Sequence, residues 1–321
     1  VRLVRLSTER CSWPGARALT IGGFDGLHVG HQELIRRARF AAQRLALPAA
    51  VLSFEPLPRE FLQPEHAPAR LTNFRERWHV LQSLALDEFL IMRFDTGMAH
   101  MSAADFMQLL ARVGARHVTV GHDFRFGHGG EGDVALMRAR GPQLGFEVEV
   151  VAPVLLAGER VGSRMVREAL SSGDLARAQR LLQRGYSMRG RVRRGAQLGR
   201  TLGFPTANIA THRRTLPFSG IFAVRVHALA LAGATARAAA ATGDAVLSGW
   251  PGVASLGTRP QVNGVEPLLE AHLFDFSGDL YGREIEVEFV AKLRDEQRFD
   301  SLDAMTAQMH RDAAAARQLL A

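Results

Sequence analysis

The feature that most constrains this chain is a change of rhythm near residue 186: before it, short apolar runs alternate with helical patterns, and after it strand follows strand until a single terminal helix. In the first half ALTI (18–21) leads through a glycine-rich turn into HQELIRRARFAAQRLAL, where Leu34, Ile35, Ala38, Ala41, Ala42 and Leu45 recur at helical spacing. AAVLSF (49–54), EFLIMRF, HVTVG and FEVEVV (146–151) read as further strands, with RERWHVLQSL and SAADFMQLLARV as helices between them. Such alternation builds a parallel sheet with helices on both faces, and ligands of these sheets sit outside the carboxyl ends of the strands. Asp174 reads as an N-cap, and Gly185 as the residue just past the end, of a helix that closes this half. Beyond Tyr186, RGRVRRG, IFAVRVHA, GVASLG, LLEAHLFDF and EIEVEFVA carry period-2 patterning, and a helix starts at about Ser301. This predicts a small β-barrel plus one helix. The boundary is expected at 184–188, giving domains over 1–186 and 187–321, with the alanine-rich stretch from Ala228 to Trp250 as an extended loop between barrel strands.

A length of 321 residues suits two domains of roughly 150 each. Lys292 is the only lysine among 40 basic residues, and it stands in FVAKLRDE with no glycine loop before it, which excludes a lysine-dependent P-loop. The single cysteine, Cys11, permits neither an intrachain disulfide nor a multi-cysteine metal site. A net charge of +8 fits polyanionic ligands of any size, from nucleotides to nucleic acid. Arg189, Arg191, Arg193 and Arg194 share one strand, but the other arginines are scattered and aromatic content is 7%, so nucleic acid is not an expected partner. The longest weakly polar tract is too short to span a bilayer and VRLVRLSTER lacks the apolar core of a signal peptide, so a cytoplasmic enzyme with no membrane partner is expected. Oligomerisation leaves no readable signal.

Two constellations carry chemistry. The first is GGFDGLHVGH: Gly22, Gly23 and Gly26 follow the first strand, and His28, Gly30 and His31 open the first helix. Helix-start N–H groups attract phosphate, glycines let a nucleotide approach the backbone, and imidazoles three residues apart share one side of the turn. A metal site or incidental surface histidines are the competing readings. The second is GRVRRGAQLGRTLGFPTAN, with Gly195, Gly199 and Gly203 able to wrap a phosphate chain, and with Thr206 and Asn208 offering two oxygen ligands on one side of an extended segment. Such donors suit Mg²⁺ held mostly by water and phosphates, although PTAN also reads as a simple turn. Glu270 shares a strand face with His272 and Phe274, and a glutamate there is also open to a solvated or ion-paired reading.

GGFDGLHVGHQELI resembles the adenylyltransferase signature of bacterial bifunctional riboflavin kinase/FAD synthetases, within the HxGH nucleotidylyltransferase superfamily. The resemblance runs along the chain through FEPLPREF, RLTNFRERW, VGHDFRFGHGGEGDV, SRMVREALSSGDL, LGRTLGFPTANI, GVASLGTRP, LYGREIEVEF and LRDEQRFDSLDAM. It implies a Rossmann-like HxGH domain that adenylylates FMN with ATP to give FAD and pyrophosphate, followed by a riboflavin-kinase β-barrel with a C-terminal helix, using ATP and Mg²⁺ to convert riboflavin to FMN. By that resemblance His28 and His31 serve adenylyl transfer. Gly22, Phe24, Asp25, Gly30, Asp123, Ser163 and Arg167 bind its substrates, Asp123 lying on the FMN or metal side, where a turn-capping role is the alternative. Ser163 is expected to cap the helix that carries Arg167. In the second half Gly195, Gly199, Gly203 and Arg298 bind substrate, Thr206 and Asn208 hold Mg²⁺, and Glu270 is the kinase base. Three departures, Gly162 and Arg164 beside Ser163 and Leu57 in FEPLPREF, leave open an alternative, a riboflavin kinase with an impaired adenylyltransferase half.

Overall fold

The computed structural model describes residues 1–9, 13–194, 202–228, 248–261 and 264–321. By contacts between residues they form two compact units, one of 1–68 and 74–163, the other of 69–73 and 164–321.

The first unit is a six-stranded, wholly parallel sheet. Its strands are β1 (Arg2–Leu6), β2 (Arg17–Ile21), β3 (Ala49–Glu55), β4 (Glu88–Arg93), β5 (Ala115–Gly121) and β6 (Glu147–Val151), in spatial order β1-β4-β3-β2-β5-β6. Chain order runs outward from β2 through β3 to β4, then returns to the other side of β2 for β5. The crevice beyond the carboxyl ends of β2 and β5 is therefore the switch point where ligands of such sheets bind. Helices α1 (Val29–Leu45), α2 (Pro58–Leu62), α3 (Phe74–Ser83), α4 (Thr96–Ala99), α5 (Ala103–Arg112) and α6 (Val134–Arg140) connect the strands. Leu19, Ile21, Leu52, Leu90, Val118 and Val120 face one core with Phe106 and Leu110 of α5, while Ala18, Val51, Phe89 and Ile91 face the other with Ile35 and Ala42 of α1. Both faces are covered, which is why these strands read as continuous apolar runs.

The expected strands and helices appear within a residue or two, and β1 is an addition. It pairs parallel with β4 at the sheet edge. Behind it Arg17, 1% exposed, donates to Glu88 at 2.9 Å through Nε, and the Trp13 indole donates to the other Glu88 oxygen at 3.2 Å. A two-residue hairpin, β7 (Leu155–Leu156) with β8 (Glu159–Arg160), follows β6.

The second unit begins with α7 (Ser163–Ser171), whose first residue belongs to the other unit, and α8 (Leu175–Leu182). Asp174 caps α8 as expected, accepting from the Arg177 N–H at 2.8 Å. The expected role of Gly185 is corrected: Gln183, at φ 54°, takes the left-handed position that ends the helix, two residues earlier. Strands β9 (Tyr186–Arg193), β10 (Ala207–Ala210), β11 (Gly220–Ala228), β12 (Trp250–Gln261), β13 (Gly264–Leu273) and β14 (Glu284–Arg294) close an antiparallel barrel in the order β10-β13-β12-β11-β14-β9, with β9 pairing back onto β10. Residues 69–73 join this unit through the Tyr186 hydroxyl and Arg213 Nη2, which donate to the Leu71 carbonyl at 2.8 and 3.0 Å. Helix α9 (Leu302–Leu320), capped by Ser301, lays Ala316 and Leu320 against Ala223 and Phe274. The segment read as an extended loop falls on 229–247, outside the described residues.

Replacing Glu88 with Gln removes the charge that Arg17 is buried against, a loss of the class that costs about 3–5 kcal/mol. The expected result is a lower denaturation midpoint for Glu88→Gln in urea, larger than for an exposed pair such as Arg44–Glu147 treated likewise.

Candidate functional site

The turn after β2 places the first constellation. Gly26 sits at φ +83°, a conformation that favours glycine, and His28 follows as the N-cap of α1. The His28 Nδ1 accepts from the His31 backbone N–H at 3.3 Å, so the proton of the neutral ring resides on Nε2. The two imidazoles stack with centroids 3.7 Å apart and planes 20° from parallel, and Phe24 leans on His31 at 5.1 Å. Gly30 is the spacing device between them: a Cβ there would lie 3.2 Å from the His28 ring. Burial, with the neighbouring His28 adding to it, pushes the His31 pKa well below its ordinary value, so His31 is neutral.

Arg77 of α3 holds this turn from beneath. It is fully buried, and its Nη1 donates to the Gly23 carbonyl at 2.9 Å and to the Ser53 hydroxyl at 3.0 Å, while Nη2 pairs with Glu55. The sequence offered Arg77 only as one letter of RLTNFRERW, without a role. Asp25 is buried, and its carbonyl accepts from the Ser163 hydroxyl at 2.8 Å. The expected cap is thereby corrected: Ser163 is the first residue of α7 and spends its hydroxyl on the Asp25 loop. Leu57 lies against Gly23, 3.4 Å from where a Cβ would stand.

Asp123 follows β5, beyond the strand that neighbours β2, and meets Arg160 at 2.6 Å. Burial opposes its ionisation, but the Arg160 hydrogen bond and charge outweigh it and hold the carboxyl below its ordinary pKa. Gly22 and Gly23 also border a cavity of about 840 Å³ whose walls include Phe54, Phe61, Phe94, Phe106, Phe124 and Phe126. Sequence reasoning missed this aromatic chamber, because its rings come from five separate segments.

In the second unit Arg167 donates through Nε to the Ala69 carbonyl at 2.6 Å, and Arg164 is 90% exposed and pairs with Glu168 one turn on at 3.2 Å. The barrel register sets Asn208 of β10 directly opposite Glu270 of β13, and Glu270 in turn opposite Ser255 of β12. Leu269 and Ala271 are wholly buried, so Glu270 and His272 turn to the other face of β13. There they line a cavity of about 350 Å³ with Thr206, Phe204, Arg294, Glu296 and, from α9, Met305, Met309 and Asp312. His272 Nδ1 donates to the Pro205 carbonyl at 2.9 Å and ties the PTAN segment to β13. A second cavity, about 570 Å³, is lined by Val192, Pro205, Phe276 and Tyr281, and Thr206 borders both. Arg294 clasps the buried Asp312 with both Nε and Nη2, at 3.0 and 2.8 Å, joining β14 to α9 at the floor of the smaller cavity. Burial holds the Glu296 carboxyl above its ordinary pKa, against the pull of Arg294. Arg298 is exposed, and its neighbours Gln297 and Phe299 line the cavity instead. Gly203 has φ +78° with open space around it; Gly195 and Gly199 lie outside the described residues.

Thr206 and Asn208 are neutral hard-oxygen donors beside one carboxylate, and no group of three His, Cys, Asp or Glu side chains capable of caging a metal occurs among the described residues. This donor set fits Mg²⁺ that arrives with nucleotide phosphates.

Two family models match in tandem, FAD synthetase over residues 12–165 and riboflavin kinase over 182–320. The bifunctional riboflavin kinase/FMN adenylyltransferase of Haemophilus influenzae is 40% identical over 304 residues, covering 94% of this chain and 93% of that protein. The chain belongs to the bifunctional riboflavin kinase/FMN adenylyltransferase family. Members from Escherichia coli (41% over 302 residues, 94% of this chain and 91% of that one) and Pseudomonas fluorescens (42% over 305 residues, 94% and 92%) match along the same extent. A crystal structure described as a macrolide-efflux protein from Streptococcus pneumoniae superposes with a TM-score of 0.79 at 27% identity, covering 99% of both chains. Among the described residues no helix is long and apolar enough to cross a membrane.

The neutral state of His31 has a consequence for stability. Its folded pKa lies below the unfolded value near 6.5, so the contribution is complete above pH 6.5 and is lost as pH falls below it, where the unfolded chain takes up a proton that the folded one refuses. The slope cannot exceed about 1.4 kcal/mol per pH unit for one group. Urea titrations between pH 7.5 and 5 are expected to show a steeper loss for the natural chain than for His31→Gln.

Proposed function

We propose that this protein phosphorylates riboflavin to FMN and then adenylylates FMN to FAD, with residues 187–321 serving the first reaction and residues 1–186 the second. The observation that carries the reading is the presence, in one chain, of a histidine pair at the N-terminus of α1 and of a glutamate set opposite Asn208 on a barrel wall.

In phosphorylation Glu270 accepts the proton of the riboflavin 5′-hydroxyl as that oxygen attacks the γ-phosphorus of ATP. The flavin occupies the smaller cavity between β13 and α9, where Phe204 and the two methionines supply apolar contact, and the nucleotide occupies the larger one. Thr206, which borders both, is then beside the phosphate that is transferred. Thr206 and Asn208 hold the Mg²⁺ that accompanies ATP, and that ion supplies charge neutralisation at the phosphates. Gly195, Gly199 and Gly203 serve the phosphate chain, and Arg298 supports flavin binding.

In adenylyl transfer the FMN phosphate attacks the α-phosphorus of ATP and pyrophosphate leaves. His28 and His31 donate hydrogen bonds from Nε2 to oxygens on which charge builds, beside the first N–H groups of α1. Phe24 keeps His31 in place, Gly22 and Gly30 allow the nucleotide to approach, and Asp25 and Asp123 face the substrates at the switch point. The phenylalanine-lined chamber beside Gly22 fits the isoalloxazine ring. A location in the cytoplasm, where both flavin and ATP are available, accords with this pair of reactions.

Glu270→Gln is expected to lower FMN formation by about 10²–10⁴-fold, the range for loss of a general base, while FMN supplied directly is still converted to FAD. His31→Ala reverses the pattern. Chromatographic separation of riboflavin, FMN and FAD reads both. Loss of both reactions in either folded variant would show that the two sites are assigned wrongly.

A further inference from the structure

We propose that Arg317 of α9 is a positioning residue for the nucleotide of the kinase reaction, acting through Asp275 on the chain that walls the larger cavity of the second unit. The inference rests on the assignment of ATP to that cavity under the proposed function. Strand β13 ends at Leu273 and β14 starts at Glu284. The connection between them supplies Phe276, Gly278, Asp279, Leu280 and Tyr281 to the cavity of about 570 Å³. The direction in which this connection leaves the barrel therefore sets the shape of the wall.

The departure is at Asp275. Its φ of 55° is a left-handed conformation, which aspartate adopts more readily than most residues but still at a cost. The residues on either side of it are anchored. Phe274 is buried, its N–H donates to the Pro251 carbonyl at 3.0 Å, and its carbonyl accepts from the Trp250 indole at 2.8 Å. Phe276 meets the Trp250 ring edge-on, with centroids 5.5 Å apart. The far end of the connection is tied to β9, where the Gly282 N–H donates to the Val192 carbonyl at 2.9 Å. Between these anchors Arg317 grips both oxygens of the Asp275 carboxylate, Nη1 donating to Oδ2 at 2.7 Å and Nη2 to Oδ1 at 2.9 Å. Its guanidinium also lies over the Phe274 ring, 4.3 Å from the centroid.

Both partners are open to solvent, and an exposed ion pair adds little to stability by itself. What this one adds is direction. A planar fork on two oxygens, with a ring against the same guanidinium, leaves few other orientations for the pair. The Arg317 hydrogen bond and charge hold the Asp275 carboxyl below its ordinary pKa, so the pair is charged at neutral pH. Arg317 is itself fixed by the helix, because Ala316 beside it and Leu320 one turn on are packed with Phe274 and Ala223. The helix that lines the smaller cavity with Met305 and Met309 thus also holds the turn from which the wall of the larger one departs.

Steady-state riboflavin phosphorylation, with ATP and riboflavin varied in turn, tests this; FAD formation from supplied FMN by the same samples normalises for active protein. Arg317→Ala is expected to raise KM for ATP about three- to tenfold, with kcat and KM for riboflavin changed by less than about twofold. Arg317→Lys, which keeps the charge without the fork, falls between. Asp275→Asn, which suits the left-handed turn but removes the charge, raises KM for ATP in the same way, and combining it with Arg317→Ala adds nothing further because the two side chains act as one unit. An unchanged KM for ATP in folded Arg317→Ala overturns the proposal, as does a double variant whose effect is the product of the two single ones. An equal rise in both KM values also overturns it, since that is the mark of a loosened α9. If Arg317→Ala fails to fold, KM for ATP in Asp275→Asn decides on the same terms. A rise confined to riboflavin would instead sink the assignment of ATP to the larger cavity, while the coupling of Arg317 to Asp275 is read separately from the double variant.

Discussion

Arg77 donates its hydrogen bonds beneath the turn that follows β2, with no exposed surface of its own. A guanidinium cannot shed its charge, so the interior must satisfy it with the Gly23 carbonyl, the Ser53 hydroxyl and the Glu55 carboxylate together. Those three groups come from the ends of β2 and β3, and the bonds fix where the glycine turn leaves the sheet. The direction in which α1 starts follows from that turn, and with it the stacking of His28 on His31. Removing either side of such a buried arrangement costs far more than it adds over an apolar equivalent, which makes it a device for specifying geometry more than for gaining stability.

The two units solve the same electrostatic problem differently. Both must receive a triphosphate without a P-loop lysine. In the proposed assignment the first unit uses the ends of elements, a helix start and neutral imidazole donors at the switch point of a parallel sheet. In the same assignment the second uses the side wall of a barrel. A six-stranded antiparallel barrel is filled by its own side chains, here by residues such as Leu269, Ala271 and Val224, so chemistry is displaced to the outer face. There Glu270 lies between Asn208 and Ser255 across three strands, and α9 supplies the opposite wall through Met305, Met309 and Asp312, one helical turn apart in succession.

Much of this was legible before any coordinates. The strands of the first unit were readable because both faces are covered and the runs are apolar throughout; β1 was not, because its arginines at positions 2 and 5 interrupt the pattern at an edge where only one neighbour pairs with it. The end of α8 was misplaced because Gly185 is the expected left-handed residue, whereas Gln183 adopts that conformation without glycine. His28, His31, Thr206 and Asn208 could be singled out as candidates from local spacing. The phenylalanine chamber was not, since each ring taken singly is an ordinary core residue. Arg298 is exposed, and Arg294, four residues earlier, reaches Asp312 beside the smaller cavity. A strand and a helix must first be packed before that difference exists.

By itself the sequence determined what depends on neighbours along the chain: the alternation that makes a parallel sheet, the period-2 strands that make a barrel, the glycines and histidines at the start of α1, and the absence of any lysine able to serve a P-loop. Tertiary structure alone decided what depends on register and burial. It set Asn208 against Glu270 across a strand pair, brought Thr20 level with Thr119, turned Ser163 toward Asp25, and drove His31 to its neutral state. The physical reason is that hydrogen-bond register and desolvation are properties of surfaces pressed together. A residue's type states what chemistry it can offer, and only its packing states which form it holds and toward what.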